Sequence, residues 1–130
     1  RNSGTHVYFL EHVVKLEDKK NKNEFAQDIL MMPSSQAIIE EVNNNPSAIG
    51  YVGLGYLTPK EKALAIAKAA QGPYIIPAIK TVMSGEYPIA RSLLFYTNGQ
   101  AKADVKQFID FTLSPAGQKI VLKMDFVSLK

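Results

Sequence analysis

Cysteine is absent from the sequence. Its absence excludes disulfides, thiolate metal ligands and thiol nucleophiles, and leaves the redox compartment undecided. No apolar run approaches the roughly 20 residues that span a bilayer. Charge of one sign is also scarce, with a net charge of +3 and the lysines spread along the chain. Lys19, Lys20 and Lys22 sit together in a polar stretch that reads as a solvated turn. No basic stripe is interleaved with aromatics, so nucleic-acid binding has no support. A signal peptide is missing too. However, the chain opens on Arg1 rather than methionine, which reads as a processed or truncated start, so that absence carries little weight.

What is present is the composition of a globular protein, 46% hydrophobic and 21% charged over 130 residues, enough for one ordinary domain. Val7, Leu10, Val13 and Val14 recur at helical spacing after Ser3 or Thr5 as N-cap, predicting a helix over residues 5–17. Pro33-Ser34-Ser35 starts a second helix through Ala37, Ile38, Ile39 and Val42. Asn43-Asn44-Asn45-Pro46 stops it. Residues 48–54 read as a buried strand with glycines at its edges. Thr58-Pro59-Lys60-Glu61 has the form of a capping box, yet residues 63–67 are taken as a short strand. Residues 76–84 read as a helix stopped by Gly85. Residues 89–97 read as a strand closed by the turn Asn98-Gly99. A helix over 102–113 ends at Ser114-Pro115, which starts another through about Met124. The alternation of helices and strands predicts an α/β class.

The stretch with chemical content is the first five residues. Amides in the first turn of a helix lack intrahelical acceptors, and the helix dipole adds partial positive charge there. Such a terminus takes oxyanions. Gly4 admits an anion close to the backbone, the hydroxyls of Ser3 and Thr5 can donate, and Arg1 can add a two-pronged contact. On physics alone an ordinary N-cap is the stronger reading of the tripeptide. Other candidates are weaker. His6 and His12 lie six apart and point away from each other on a helix, and neither has the carboxylate spacing of a zinc protease. Both read as surface or capping residues. Glu40 and Glu41 are adjacent and face different ways. Gly50, Gly53 and Gly55 lack the Lys-Ser or Lys-Thr of a phosphate-cradling loop, so close packing or turn geometry explains them. Phe108, Phe111 and Phe126 read as core. No nucleophile, base and orienter assemble, so an enzyme is not expected, and no metal or cofactor is implied.

Several segments carry a resemblance when read in order. Ser3-Gly4-Thr5 heads a helix with Tyr8-Phe9, and Ser34-Ser35-Gln36 heads another. Asn45-Pro46-Ser47-Ala48-Ile49-Gly50-Tyr51-Val52-Gly53 follows, then Tyr87-Pro88-Ile89-Ala90-Arg91 and Phe95-Tyr96-Thr97. Phe108-Ile109-Asp110-Phe111 and Leu113-Ser114-Pro115-Ala116-Gly117-Gln118 come last. Over nearly the whole chain this series resembles the PstS-type phosphate-binding proteins of the type 2 periplasmic binding protein fold. The resemblance implies three-layer α/β/α lobes that close on phosphate like a clamp, incomplete here because the family chain is about twice as long. Residues 1–59 would then belong to the second, inserted lobe, and residues 60–130 would cross back to complete part of the first.

By the same resemblance Ser3, Gly4 and Thr5 contact phosphate. The family's arginine stands farther upstream of the serine than Arg1 does, so Arg1 is either a shifted equivalent or not the binding arginine. The implied function is capture of inorganic phosphate and its delivery to an ABC-type permease, in the periplasm or outside the cell, with or without a lipid tether. A carrier for another oxyanion such as molybdate or sulfate, or a phosphate-handling enzyme or sensor domain on the same scaffold, is the alternative. With neither lobe whole, the chain is expected to be a truncated piece or to self-associate through its uncovered apolar faces.

Overall fold

A computed structural model describes residues 3–129 of the chain. The chain divides into two compact units, Arg1–Lys62 and Ala63–Lys130.

In the first unit, Ser3 adopts an extended backbone and its Oγ accepts from the His6 amide at 3.4 Å, capping helix α1, Gly4–Phe9. The helix widens directly into a π-helical turn, Leu10–Val14, whose last bond runs from the Lys15 amide to the Leu10 carbonyl at 2.8 Å. Leu16 and Glu17 then take left-handed φ angles of 53° and 60°, which ends the helix short of the predicted residue 17. An ion pair from Lys15 to Glu24 at 2.7 Å and a bond from Asn21 Nδ2 to the Lys15 carbonyl at 3.1 Å fold the polar turn back on the helix end. Helix α2, Ser35–Asn44, starts where the serine pair predicts, with Ser34 Oγ accepting from the Ala37 amide at 3.1 Å. Its Ile39 is the one buried large apolar residue among those described, at 7% exposure. The extended segment 48–53 lies against this helix at Gly50, where a Cβ would stand 2.6 Å from Ile38 Cγ2 and 3.2 Å from Val42 Cγ2. Only glycine permits that approach. A 3₁₀ turn, Leu54–Tyr56, follows.

The second unit begins with an isolated antiparallel bridge between Ile66 and Ile75, closed by two 2.9 Å bonds. Helix α3, Ile79–Met83, is shorter than the predicted 76–84. Pro77 explains the late start, because a proline pushes the preceding residue out of helical conformation. Gly85, at φ +76°, stops it as expected. Helices α4, Ala103–Leu113, and α5, Pro115–Lys123, meet at Ser114. Ser114 ends α4, and its Oγ accepts from the Gly117 amide at 3.2 Å to cap α5, with Pro115 in the first position. Gly117 is buried in the corner, where a Cβ would run into the carbonyl oxygens of Phe111 and Thr112. Gln118 completes the joint, donating to the Thr112 carbonyl at 2.8 Å and accepting from the Leu129 amide at 2.7 Å.

The described residues hold helices and one bridge but no strand. Segments 48–54 and 89–97 run without a ladder, and residues 91–97 are exposed throughout. The turn at 98–99 is present, with Gly99 at φ +77° and Thr97 Oγ1 donating to its carbonyl at 2.7 Å. A strand is defined by its neighbours, so an extended segment without one is not a strand, whatever its composition. The layered α/β arrangement is therefore not built by these residues themselves. Their accessible surface is correspondingly large at 10726 Å², against about 8,200 Å² for two separate compact bodies of half this mass each. Phe108 and Phe111, expected in the core, are 60% and 52% exposed.

Candidate functional site

The anion-site residues read from the sequence fall together at the start of α1. Ser3 and Gly4 are exposed and Thr5 is half-buried. The first intrahelical bond runs from the Val7 amide to the Ser3 carbonyl at 3.1 Å, so the Gly4 and Thr5 amides have no acceptor within the helix. Ser3 Oγ spends a lone pair on the His6 amide and keeps its own proton for donation. No acidic residue lies in the first turn, so nothing there opposes the partial positive charge of the helix start. The arrangement offers amide and hydroxyl donors to a small anion. Arg1 lies outside the described residues.

Behind the helix start stands an aromatic cluster that pattern reading missed. His6, expected at the surface, is half-buried: its Nδ1 lies 3.0 Å from the Tyr51 hydroxyl and its ring 4.8 Å from that of Phe25. Phe9 stacks on Tyr51 with centroids 4.1 Å apart and planes 6° apart, and Phe25 flanks both rings at 6.3 and 6.2 Å. Each close aromatic pair contributes about 0.5–1.5 kcal/mol beyond its buried area. Burial raises the Tyr51 hydroxyl above the usual phenol value, so it keeps its proton at neutral pH. The one available signal was that His6 and Phe9, three apart, share a helix face. An open hollow of about 400 Å³ lies beside the cluster, lined by His6, Phe25, Ala26, Gln27, Ile29 and Met31. His12 is separate, stacked on Tyr8 at 3.9 Å with Nδ1 3.0 Å from the Tyr8 carbonyl oxygen.

The remaining candidates resolve into structural roles. Gln36 donates to Glu40 at 3.3 Å and Asn45 to Glu41 at 3.1 Å, so the two carboxylates serve different neighbours. The Thr58–Glu61 contacts of a capping box form, with the Thr58 amide and hydroxyl donating to Glu61 at 2.8 and 2.7 Å, but no helix follows. The Thr58 hydroxyl, and after it Asn43, hold the Glu61 carboxyl below its ordinary value. Tyr87 of the Tyr-Pro-Ile-Ala-Arg segment belongs to the second unit, and burial raises its hydroxyl. Among the described residues no group of three or more His, Asp or Glu side chains converges to hold a metal ion. No helix among them is long and apolar enough to cross a membrane.

Comparison with known proteins adds an independent observation. The family model of the PBP superfamily domain matches residues 1–116. The chain is 29% identical over 131 residues to a protein of Pseudomonas aeruginosa named phosphate-binding protein PstS, covering 98% of this chain and 39% of the relative. A protein of that name from Borreliella burgdorferi is 38% identical over 109 residues, 82% of this chain and 38% of the relative. Phosphate-binding protein PstS 2 of Streptococcus agalactiae is 35% identical over 133 residues, covering 98% and 43%. The chain thus spans about two fifths of the length of the curated relatives it matches.

Proposed function

The chain belongs to the PBP, or periplasmic-binding-protein, superfamily, and from that membership we propose that it is part of a phosphate carrier serving an ABC-type import permease. The observation that carries the reading is the helix start at Ser3-Gly4-Thr5, exposed at Ser3 and Gly4 and half-buried at Thr5, where two amides lack helix acceptors and no acid lies in the first turn. The names of the three relatives point to the same ligand. Under this proposal the site holds the anion by donation from these amides and the Ser3 and Thr5 hydroxyls, without bond making. On this reading the protein works in the periplasm or outside the cell, free or lipid-tethered.

The open surface fits a chain that supplies part of each lobe. The division at Lys62 and Ala63 lies close to the crossing expected after Pro59. The extended segments 48–54 and 89–97 are the strands of three-layer lobes whose partner strands come from the rest of a longer protein or from another copy. Self-association is then the second route to covering Phe108 and Phe111.

Isothermal titration with phosphate, with sulfate and molybdate as competitors, tests the reading. Phosphate should bind, and Thr5→Ala should weaken it about 10- to 100-fold, the range of one hydrogen bond to a charged group. Equal binding of sulfate would move the assignment to a general oxyanion carrier. Phosphate binding that Thr5→Ala leaves unchanged would place the anion elsewhere.

A further inference from the structure

Helix α1 has six residues and none of them is buried. A helix this short does not hold itself in water, so its position depends on tertiary contacts. Two side chains meet both of its turns, Tyr51 and Phe25, and of the two it is Tyr51 that adds a hydrogen bond. The ring of Tyr51 stacks on Phe9 in the second turn at 4.1 Å, and its hydroxyl reaches His6, next to Thr5, at 3.0 Å. The stack and the hydrogen bond use different parts of the side chain, so they can be separated by experiment. Tyr51 is itself carried by segment 48–53, which is fixed to α2 by the close approach at Gly50.

We propose that Tyr51 is the positioning residue of the anion site: its hydroxyl, through His6, sets the orientation of the helix start that presents the Gly4 and Thr5 amides. The inference rests on the reading of Ser3-Gly4-Thr5 as the phosphate site. With the Tyr51 hydroxyl assigned as donor to Nδ1 across their 3.0 Å contact, the His6 ring proton sits on Nε2 and one tautomer is fixed. Tyr51→Phe removes the hydroxyl and keeps the ring on Phe9. It leaves the donors of Ser3, Gly4 and Thr5 in the sequence but releases the turn that aims them. Misaimed amides lose affinity even though none has been deleted.

The test uses the full chain, inorganic phosphate as titrant, and three measurements on Tyr51→Phe and Thr5→Ala beside the unmodified protein. Tyr51→Phe should weaken phosphate binding about 3- to 10-fold, the factor of one neutral hydrogen bond. It should also shift the His6 imidazole nitrogen resonances from the single Nε2–H form toward a tautomer mixture. The exchange of the Val7 amide, the first bonded amide of the helix, should quicken. His6→Gln, whose side-chain oxygen still accepts, should retain more affinity than His6→Ala. If Thr5→Ala weakens binding and Tyr51→Phe leaves it within twofold, the positioning role is wrong while the phosphate site stands. If the unmodified chain binds no phosphate, the site reading fails. The Val7 amide then decides alone, and unchanged exchange in Tyr51→Phe overturns the positioning role.

Discussion

The two units of the chain are held by different kinds of contact. In the first, residues far apart in sequence meet: Tyr51 on Phe9 and His6, Phe25 on the same group, and Gly50 on Ile38 and Val42. In the second, the firmest structure is local, a corner in which Ser114, Gly117 and Gln118 join two consecutive helices. Most of its larger apolar side chains stay open, with Leu93 71% and Tyr96 88% exposed. The difference is informative about function. A site whose geometry matters needs cross-braced support, and the candidate anion site lies in the unit that has it.

Substitutions at the two tight glycines sharpen the comparison, since each probes one kind of contact. Gly117→Val should have the largest effect. Its side chain meets backbone carbonyls that cannot step aside, so a loss of about 3 kcal/mol or more is expected. The loss should be read as reduced helicity and fast amide exchange across α4 and α5. Gly50→Ala meets the β-branched methyls of Ile38 and Val42, which the helix holds stiffly, rather than backbone, and should cost about 1–3 kcal/mol, measured by urea unfolding followed through the tyrosines. If the cross-bracing is real, the same substitution should also weaken phosphate binding by displacing Tyr51. An intact affinity would separate α2 packing from the site.

The smallest expected effect is acid loosening at Glu61. Its folded carboxyl is held low, first by the Thr58 hydroxyl. The stabilisation is therefore complete above the ordinary glutamate value and lost as pH falls through the lower folded one. The carboxyl lies at the surface, so the change is local. It should appear as movement of the Thr58 amide resonance only below the ordinary carboxylate range, and movement nearer neutrality would contradict it.

Local punctuation in the sequence was read well. Ser34, Ser114-Pro115, Gly85 and Asn98-Gly99 act at the positions expected because caps, breakers and turns depend on a few neighbouring residues. Ser3 capping α1 is of the same kind. Pro77 was readable too, and neglecting it gave α3 one turn too many. The strands were not readable in the same way. Segments 48–54 and 89–97 have strand composition, but pairing depends on neighbours that the described residues do not supply. Thr58-Pro59-Lys60-Glu61 shows the converse, since its side-chain bonds form without the helix they usually start. The Tyr51 contact joins residues 45 apart in sequence, beyond the reach of any local pattern. The resemblance pointed to Ser3, Gly4 and Thr5 as candidates, and its segments include Phe9 and Tyr51 without showing that the two meet.

On the proposed reading, the helix start at Ser3-Gly4-Thr5 receives phosphate. Backbone amide resonances of the full chain, followed while inorganic phosphate is added, test it most directly. The Gly4 and Thr5 amides should move first and farthest, with sulfate at equal ionic strength producing less. Saturable shifts elsewhere while Gly4 and Thr5 stay fixed, or no shift at all, would contradict it.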